Sequence, residues 1–335
     1  MAGRSGNGWS TCALEHRHWG LFGAAGLLAY VPSPDSPASS LVLMQHRAGW
    51  SHEGGTWSLP GGAMDSEETP AETALREADE ECGVNPRLVV PRGLFSDEHG
   101  GWVYHTVLAQ AQDAFKVYAD AYESDDARWL PAGEVDQLEL HPGFAAYWPL
   151  LRQALLPLTV IVDGAGVLAA RPEAAQDSNP GGSNPAGGNP AGTNPAGGEA
   201  AGGDPAGAAR RLRERLTELT LTGLAALPDG LDRPALARWY PDYVLVLDGD
   251  AREAAADPPA VPPDSGLPSW SAPLVVPTAG VRAVAAAGSG ADEIAELAGS
   301  IAGRRLVVTA RPAVRDRAAA AGASVTGPQW LLRLL

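Results

Sequence analysis

The sequence contains almost no lysine and very little cysteine, and each shortage narrows what the protein can be. Its two cysteines in 335 residues are too few for a disulfide framework. Lys116 is the single lysine, and 24 basic residues against 40 acidic ones give a formal net charge of −16. This acidic balance argues against broad electrostatic binding to nucleic acid or to anionic membranes.

Long apolar runs are also missing. No stretch of about 18 consecutive apolar residues occurs, so the sequence predicts no membrane-spanning helix. The first residues contain no apolar segment like that of a signal peptide. We therefore expect a soluble, cytoplasmic protein without a membrane partner. A chain of 335 residues has room for two domains.

The most informative stretch is residues 60–84, where a glycine turn leads into a helix pattern. Thr69, Pro70 and Glu72 have the order of a helix start, with a capping residue, a proline and a glutamate that caps back. Gly83 suits the left-handed residue that ends a helix. The predicted buried face consists of Ala71, Ala74, Leu75, Ala78 and Cys82.

Three carboxylates share one flank of this predicted helix, because Glu77, Glu80 and Glu81 are three and four residues apart. They repel one another at neutral pH, and a divalent cation among them would remove that repulsion. Oxygen ligands favour a hard ion, Mg²⁺ first and Mn²⁺ second. The alternative is a solvated helix face on which Arg76 and Glu80 form a pair.

The stretch resembles the Nudix box, GX5EX7REUXEEXGU, over the full length of that motif. The matching residues are Gly62, Glu68, Arg76, Glu77, Glu80, Glu81, Gly83 and Val84. Ala78 fills the other apolar position, as a small but apolar departure. The first seven of these residues match a position where the motif specifies one residue type, whereas Val84 only fills an apolar position. At average residue usage, seven such matches occur by chance in about 10⁻⁹ of windows, which makes the solvated-helix alternative weak.

The resemblance implies a fold, an activity and a substrate class. The fold would be α/β, an α/β/α sandwich with a mixed sheet over residues 14–157, and we expect residues 1–13 to be a disordered lead. The activity would be Mg²⁺-dependent hydrolysis of a pyrophosphate bond, with Mn²⁺ as the other ion. The substrate would be a nucleoside diphosphate linked to another group, or a modified nucleoside triphosphate.

The resemblance also implies roles for individual residues. The implied metal ligands are Glu77, Glu80, Glu81 and the backbone carbonyl of Gly61. Arg76 would orient carboxylates and Glu68 would support the loop and the helix, while Glu77 and Glu81 take part in catalysis. One further acid, a ligand or a general base, would come from a loop, with Glu98 as the first candidate and Glu123 as the second. A plain hairpin connection at Glu98 is the alternative.

Three residues ahead of the box are candidates for the floor of a pocket. Arg47 could hold a phosphate, and Trp57 could stack on a base. His52 lies between them in the sequence. The alternative for each is ordinary strand packing or the surface.

Near the start of the chain, Cys12, His16 and His18 are residue types that bind metal. Their spacing lacks a fourth partner, so the sequence does not favour a zinc site there.

The second half of the chain, residues 158–335, alternates strands and helices, which predicts an α/β domain with a small parallel sheet. Two apolar strands in it end in Asp-Gly, which places carboxylates at the carboxyl edge of a sheet. A low-complexity run interrupts this half at residues 173–208, and within it residues 179–198 repeat every five residues. Its asparagine, proline, alanine and glycine cannot form a packed core, so it is predicted to be a disordered linker.

This half resembles the PIN/NYN-like nuclease fold, in which several aspartates at the sheet edge hold Mg²⁺ or Mn²⁺. Asp163 and Asp292 match that pattern. Gly166 stands where the family often has asparagine, and Arg311 stands where an aspartate would follow the fourth strand. A fixed positive charge opposes cation binding, so we expect a degenerate domain in which Arg311 pairs with Asp163.

Two other functions stay open beside a Nudix hydrolase. One is a ligand-sensing regulator on a Nudix fold, and the three intact glutamates of the box argue against it. The other is an RNA-processing nuclease centred on the C-terminal domain, and the acidic net charge and Arg311 argue against that.

Deletion of residues 179–198 is expected to leave hydrolase turnover unchanged, because loop length costs little free energy and this composition buries nothing. The measurement compares kcat of the deletion variant with kcat of the full chain on the same substrate. A large loss of kcat would show that the repeat has an active role.

Overall fold

The computed structural model describes residues 4–34, 36–120, 122–170, 204–231, 234–256 and 280–335. The strands are β1 (Trp9–Thr11), β2 (Arg17–Trp19), β3 (Ala24–Val31), β4 (Leu41–Arg47), β5 (Trp57–Ser58), β6 (Gly61–Ala63), β7 (Val89–Glu98), β8 (Val103–Ala111), β9 (Ser124–Pro131), β10 (Leu158–Asp163), β11 (Arg238–Trp239), β12 (Asp242–Leu247), β13 (Val281–Ala285), β14 (Arg304–Val308) and β15 (Ser324–Thr326). The helices are α1 (Pro70–Cys82), α2 (Pro142–Gln153), α3 (Gly164–Ala169), α4 (Pro205–Thr222), α5 (Gly290–Ser300), α6 (Pro312–Ala320) and α7 (Pro328–Leu332). Short 3-10 helices occur at Pro37–Ser39, Pro86–Leu88, Val135–Gln137 and Gly249–Ala255. Within these described ranges, no helix is both long enough and apolar enough to cross a bilayer.

The first sheet is mixed and has β3 at its centre. Eight strands belong to it, in the order β11-β7-β8-β3-β4-β5, with β6 paired to β3 and β9 paired to β4. β8 runs parallel to β3, whereas β4 and β6 run antiparallel to it. Because neighbouring strand residues point to opposite faces, Leu27 packs in the core under α1 and Leu28 in the core under α2. The two helices cover the two faces, which confirms the predicted α/β/α sandwich with a mixed sheet.

The sequence predicts a disordered lead at residues 1–13, whereas the structure gives most of this segment defined contacts. β1 and β2 form an antiparallel hairpin. The backbone N–H of Gly6 donates to Asp65 Oδ1 at 2.7 Å, so the segment reaches the loop before α1. Cys12, in the turn of the hairpin, is buried. These contacts join residues far apart in the chain, which local composition does not reveal.

The second sheet is parallel and has five strands in the order β13-β12-β10-β14-β15. Counted from β10, this order is 3-2-1-4-5, and the strand order reverses between β10 and β14. Helices α3, α4 and α7 cover one face, and α5 and α6 cover the other. The predicted C-terminal α/β fold with a small parallel sheet is confirmed. The PIN/NYN resemblance stays a prediction, as do the domain limits 14–157 and 158–335.

The predicted linker at residues 173–208 falls mostly on residues 171–203, which lie outside the described residues. Its last residues are helical rather than linker, because Asp204 caps α4 and Pro205 is the first residue of the helix. An aspartate cap followed by proline is a strong helix start, even at the end of a glycine-rich run.

The two sheets are joined by backbone, charge and apolar contacts. β11 comes from the second half of the chain, yet it pairs with β7 at the edge of the first sheet. Arg92 Nη1 donates to Asp242 Oδ1 at 2.8 Å, between β7 and the start of β12. Leu236 packs against the cores of both sheets. The second half therefore completes one edge of the first sheet.

At the carboxyl end of β10, an ion pair fills the place where sheets of this order usually bind ligands. Asp163 is 1% exposed, and the Nε and Nη2 of Arg311 donate to its two oxygens at 2.8 and 2.7 Å. Thr309 Oγ1 adds a third bond at 2.6 Å. The pairing of Arg311 with Asp163 is confirmed, and the guanidinium occupies the position that a cation would need.

The second acid beside this pair is Asp248, not the Asp292 that the sequence suggests. Asp248 follows β12, and its Oδ2 lies 3.5 Å from Arg311 Nη1. Asp292 lies in the first turn of α5 and pairs with Arg317 of α6 at 2.6 Å on the surface. The difference arises because β12 is adjacent to β10 in the sheet, so its carboxyl end lies beside Asp163.

Replacing Arg311 by Met is expected to lower the free energy of unfolding by about 2 kcal/mol, because Asp163 is left buried and unpaired. This figure is below the range for fully buried pairs, since 35% of the Arg311 side chain is exposed. Urea unfolding of the single variant and of Arg311→Met with Asp163→Asn measures it, and the double variant should recover part of the loss. The matched control is Arg317→Met, expected within about 0.5 kcal/mol of the unmodified protein because its pair is exposed. Equal losses in the two arginine variants would contradict the special role of Arg311.

Candidate active site

Helix α1 begins and ends where the sequence predicts, because its terminal backbone groups have partners. Thr69 Oγ1 accepts the N–H of Glu72 at 3.3 Å, and Glu72 Oε2 accepts the N–H of Thr69 at 2.8 Å. Gly83 ends the helix at a φ of 66°, in the left-handed region that favours glycine. The apolar face of α1 packs on the first sheet, and this packing fixes the position of its acidic flank.

Arg76 holds the acidic flank together with one guanidinium. Its Nε and Nη2 donate to the two carboxylate oxygens of Glu68 at 2.7 and 2.8 Å. Its Nη1 donates to Glu77 Oε1 at 2.7 Å and lies 3.6 Å from Glu80 Oε2. Nη2 also donates to the carbonyl of Ala63 at 3.2 Å. The planar fork of arginine makes this set of bonds possible, whereas a lysine ammonium lacks the bidentate geometry.

Glu68 ties the loop before α1 to the helix itself. Its Oε2 accepts the N–H of Asp65 at 3.1 Å and the hydroxyl of Thr73 at 2.8 Å, in addition to the bonds from Arg76. Burial opposes the ionised carboxylate, but these hydrogen bonds outweigh burial and lower the pKa of Glu68 to about 2. Glu68 therefore stays ionised at neutral pH, as the anchor of the loop.

The carboxylates of buried Glu81 and half-buried Glu77 meet the glycine turn. Glu81 is 6% exposed, and its Oε2 accepts the N–H of Gly61 at 2.8 Å. The Glu77 side chain is 15% exposed, and a Cβ on Gly62 would lie 2.5 Å from its carboxylate carbon. Glycine at position 62 is therefore what allows the carboxylate to come so close to the turn. Glu80 is more exposed, at 62% of its side chain.

Burial makes both inner carboxylates weaker acids than usual. Burial first, and then the nearby charges of Glu77 and Glu123, raise the pKa of Glu81 to about 8. Burial also raises the pKa of Glu77, in opposition to the hydrogen bond from Arg76. Carboxylates that are buried close to one another are the arrangement that a bound cation stabilises most.

The glutamates line one wall of a cavity of about 1050 Å³. The cavity is bounded by the β1–β2 hairpin, the loop between β4 and β5, the acidic flank of α1, and α2. Arg47 and Glu123 also line this cavity. Aromatic side chains line much of the rest, namely Trp9, Trp19, Trp50, Phe95, Trp102, Tyr104 and Tyr147. The cavity thus offers charged groups and ring surfaces to one ligand.

Arg47 and His52 reach the cavity, but Trp57 does not. Trp57 is 8% exposed and packs in the core under α2, where the guanidinium of Arg128 lies 4.6 Å from its ring centre. Adjacent residues of a strand face opposite sides, and the residue after Trp57 is the one that lines the cavity. Trp50, which the sequence did not single out, is 63% exposed and lines the cavity instead.

Glu98 is also absent from the residues that line the cavity. It is exposed at the end of β7, whereas its neighbours Asp97 and His99 line the cavity. The β7–β8 hairpin and the alternation of side chains in it decide which of these residues faces inward. Glu123, the second candidate for the further acid, does line the cavity.

The donors at the acidic wall fit a hard divalent cation. Glu77, Glu80 and Glu81 supply carboxylate oxygens, and the Gly61 turn lies directly beside Glu81. A second set of donors adjoins the same cavity and has different chemistry. It consists of Cys12, His16, His18 and His99. The sequence analysis named the first three but did not favour a site, because the fourth donor, His99, is distant in the chain.

Acid titration is expected to remove the contribution of Glu68 to stability. The folded-state pKa of Glu68, about 2, lies below the ordinary glutamate value of 4.5, so this contribution is complete above pH 4.5 and is lost as pH falls towards 2. The loss should be about 1–2 kcal/mol, because solvent near the site screens part of the interaction. Urea unfolding at several pH values measures how the free energy of unfolding changes with pH, and Glu68→Gln should make this change smaller. Glu67→Gln, at the exposed neighbouring residue, should leave the pH dependence as it is in the unmodified protein. An unchanged pH dependence in Glu68→Gln would contradict the assignment.

Comparisons with known proteins agree with this geometry. A family model described as "NUDIX domain" matches residues 27–153. A Mycobacterium tuberculosis protein named "Putative 8-oxo-dGTP diphosphatase 3" is 47% identical over 161 residues, which cover 46% of this chain and 72% of that protein.

Two further matches cover a similar share of the chain. A "Nucleoside triphosphate pyrophosphatase/Nudix hydrolase fusion protein" of Bifidobacterium longum is 40% identical over 146 residues, which cover 43% of this chain and 30% of that protein. The solved structure of a Nudix hydrolase from M. smegmatis, RenU, is 43% identical and covers 44% of this chain and 93% of that one, at a TM-score of 0.41. With the box assembled on α1 and a family relative covered over 72% of its length, the chain belongs to the Nudix family and is a hydrolase of phosphorus-containing acid anhydrides.

Proposed function

We propose that this protein is a Mg²⁺-dependent hydrolase that cleaves a pyrophosphate bond in a modified nucleoside triphosphate. The observation that carries the proposal is that buried Glu81 and half-buried Glu77 line a cavity rich in aromatic rings, beside Arg76, which is paired with Glu68. The name of the Mycobacterium tuberculosis relative favours an oxidised purine nucleotide as the substrate. Mn²⁺ is the other ion that this donor set fits.

Glu77, Glu80 and Glu81 would hold the cation, with Gly61 beside them. When bound, the cation neutralises pyrophosphate oxygens and lowers the pKa of a bound water. The role of Arg76 is to keep Glu77 and Glu68 in fixed positions through its three short bonds. Because Arg76 already pairs with these carboxylates, it acts as a positioning residue for the site.

Two further residues of the cavity fit the charge and the acid chemistry of this reaction. Arg47 is held at the wall by a bond from its Nε to the carbonyl of His52 at 3.1 Å, and its cation suits a phosphate group. Glu123 lies in the cavity, and its charge raises the pKa of both Glu77 and Glu81. We therefore assign the further acid of the site to Glu123 in place of Glu98.

Aromatic surface for the base comes from Trp50. It is largely exposed, lines the cavity, and its indole Nε1 donates to the carbonyl of Tyr122 at 3.0 Å, which fixes one end of the ring system. The Tyr122 ring lies 4.8 Å away, centre to centre. A nucleobase that stacks on Trp50 would place its phosphates towards Arg47 and the acidic wall of the same cavity.

A second candidate substrate is a nucleoside diphosphate linked to another group, since the cavity of about 1050 Å³ also suits a two-part ligand. A ligand-sensing regulator would not need the three carboxylates to converge. A nuclease centred on the second sheet is disfavoured, because Arg311 occupies both oxygens of Asp163.

A substrate panel with Mg²⁺ tests this function. It compares 8-oxo-dGTP, dGTP, ADP-ribose and a dinucleoside tetraphosphate by the release of pyrophosphate or nucleoside monophosphate. We expect the highest kcat/KM on the oxidised triphosphate. Faster turnover of ADP-ribose or the tetraphosphate would transfer the assignment to the second substrate class, and no turnover of any of them would support the sensor.

Glu81→Gln is expected to lower kcat by about 10³-fold or more while the fold is retained, as loss of a metal ligand should. The matched control is Glu98→Gln, the same change at an exposed glutamate outside the cavity, and it should keep the turnover of the unmodified protein. Circular dichroism checks the fold of both variants. Normal turnover of Glu81→Gln with unchanged Mg²⁺ dependence would contradict the assignment of Glu81 as a metal ligand.

A further inference from the structure

The turn of the N-terminal hairpin carries metal-binding residue types at both of its ends. The N–H of Cys12 donates to the carbonyl of His16 at 3.0 Å, which closes the turn between β1 and β2. His18 follows on β2, opposite Ser10. A thiol and two imidazoles are thus held on one short hairpin.

A fourth donor comes from the turn between β7 and β8. The N–H of Ala13 donates to the carbonyl of Gly100 at 2.9 Å, so the two turns are joined by backbone. This contact places His99 against the hairpin, with its ring centre 4.7 Å from that of His18. One donor atom from each of the four residues lies within 4.8 Å of all the others. These are Cys12, His16, His18 and His99.

Two of the imidazole nitrogens are buried and have no hydrogen-bond partner among the described residues. They are His18 Nε2 and His99 Nδ1. A buried polar atom without a partner costs free energy, so such atoms in a folded protein call for an explanation. A metal ion would provide the missing partner for both nitrogens at once.

The other nitrogen of His99 already has the partner that metal-binding histidines usually have. His99 Nε2 and Asp97 Oδ2 lie 2.9 Å apart, which leaves Nδ1 free to ligate. Tyr147 donates its hydroxyl to the second oxygen of Asp97 at 2.6 Å. A carboxylate behind an imidazole orients the ring and raises its basicity towards a metal. The His18 ring is fixed as well, because it stacks on Trp102 at 4.0 Å.

We propose that Cys12, His16, His18 and His99 form a four-ligand zinc site that fastens the β1–β2 hairpin to the β7–β8 turn. One thiolate and three imidazoles suit Zn²⁺, whereas Mg²⁺ prefers the oxygens of the acidic wall. In a tetrahedral zinc site the ligand atoms are about 3.3–3.6 Å apart. The four donor atoms need only a small contraction of the turn to reach that spacing. Four protein ligands leave no open position, so the site is structural and performs no chemistry.

The site would shape the cavity without taking part in hydrolysis. Trp9, Arg17 and Trp19 lie on the hairpin and line the cavity. Zinc would hold these side chains at the cavity wall, so its loss should affect substrate binding more than the chemical step. The Arg17 guanidinium lies 4.9 Å from the centre of the Trp9 ring, so these two side chains pack against each other on the hairpin.

The first test is metal content and cobalt spectroscopy of the full chain. After chelation and reloading, the unmodified protein should bind one Zn²⁺ per chain in the presence of excess Mg²⁺. Its Co²⁺ form should show the visible bands of tetrahedral cobalt and a thiolate-to-cobalt charge-transfer band. Cys12→Ser should lose the charge-transfer band, and His99→Gln should lose tight binding. Cys82→Ala, at the other buried cysteine, should keep both.

A second measurement separates this site from the acidic wall and guards against variants that fail to fold. The triple variant Glu77→Gln, Glu80→Gln, Glu81→Gln should still bind one Zn²⁺, although it is expected to be inactive. One equivalent of Zn²⁺ should raise the Tm of chelated protein by several degrees, and should not raise that of Cys12→Ser. Absence of stoichiometric zinc in the unmodified protein, or zinc retained by the combined Cys12→Ser and His99→Gln variant, would overturn the proposal. Neither measurement uses hydrolase activity, so the zinc site and the proposed hydrolase function can each be disproved without the other.

Discussion

The Nudix site depends on the hydrogen bonds that the Arg76 guanidinium donates. Ionised carboxylates are costly to bury unless a positive charge and hydrogen bonds compensate them. One guanidinium binds both oxygens of Glu68 and one oxygen of Glu77, and it also reaches the carbonyl of Ala63. The loop, the glycine turn and the helix are thereby held in one arrangement. Glu81 is left out of this pairing, with burial raising its pKa, and is the carboxylate most in need of a cation.

The same physical solution has the opposite consequence in the second sheet. There, Arg311 binds both oxygens of Asp163 and lies 3.5 Å from one oxygen of Asp248, so its positive charge occupies the place between the two carboxylates. In the first site the arginine lies at the side of the acidic cluster, and in the second it lies in the middle. The chemistry of an acidic edge therefore depends on where its arginine lies.

The cavity is assembled from segments that are far apart in the chain. The hairpin at its mouth is held by backbone bonds to the β7–β8 turn and by contacts to the loop before α1. The second half of the chain completes an edge of the same sheet through β11. Substrate selection by such a cavity would depend on packing between these segments.

How far the sequence determines this protein depends on the distance over which each feature is encoded. The cap at Thr69, the end at Gly83 and the flank of Glu77 and Glu81 follow from neighbours within a few residues, because helix periodicity and capping are local. The two α/β folds follow from the order of strands and helices in the same way. The local pattern of α1 was therefore sufficient to predict the acidic wall.

The tertiary structure alone decided which side chains face the cavity and which partners meet. Trp57 points into the core under α2 and Glu98 points into solvent, so neither faces the cavity. Strand alternation and the β7–β8 hairpin set these directions, which residue type does not fix. Asp248 replaced Asp292 because its strand neighbours β10 in the sheet. His99 joined Cys12, His16 and His18 only because two turns are joined by a backbone hydrogen bond. Contacts between distant segments depend on how the sheets close, and the sequence of either segment alone carries no record of the other.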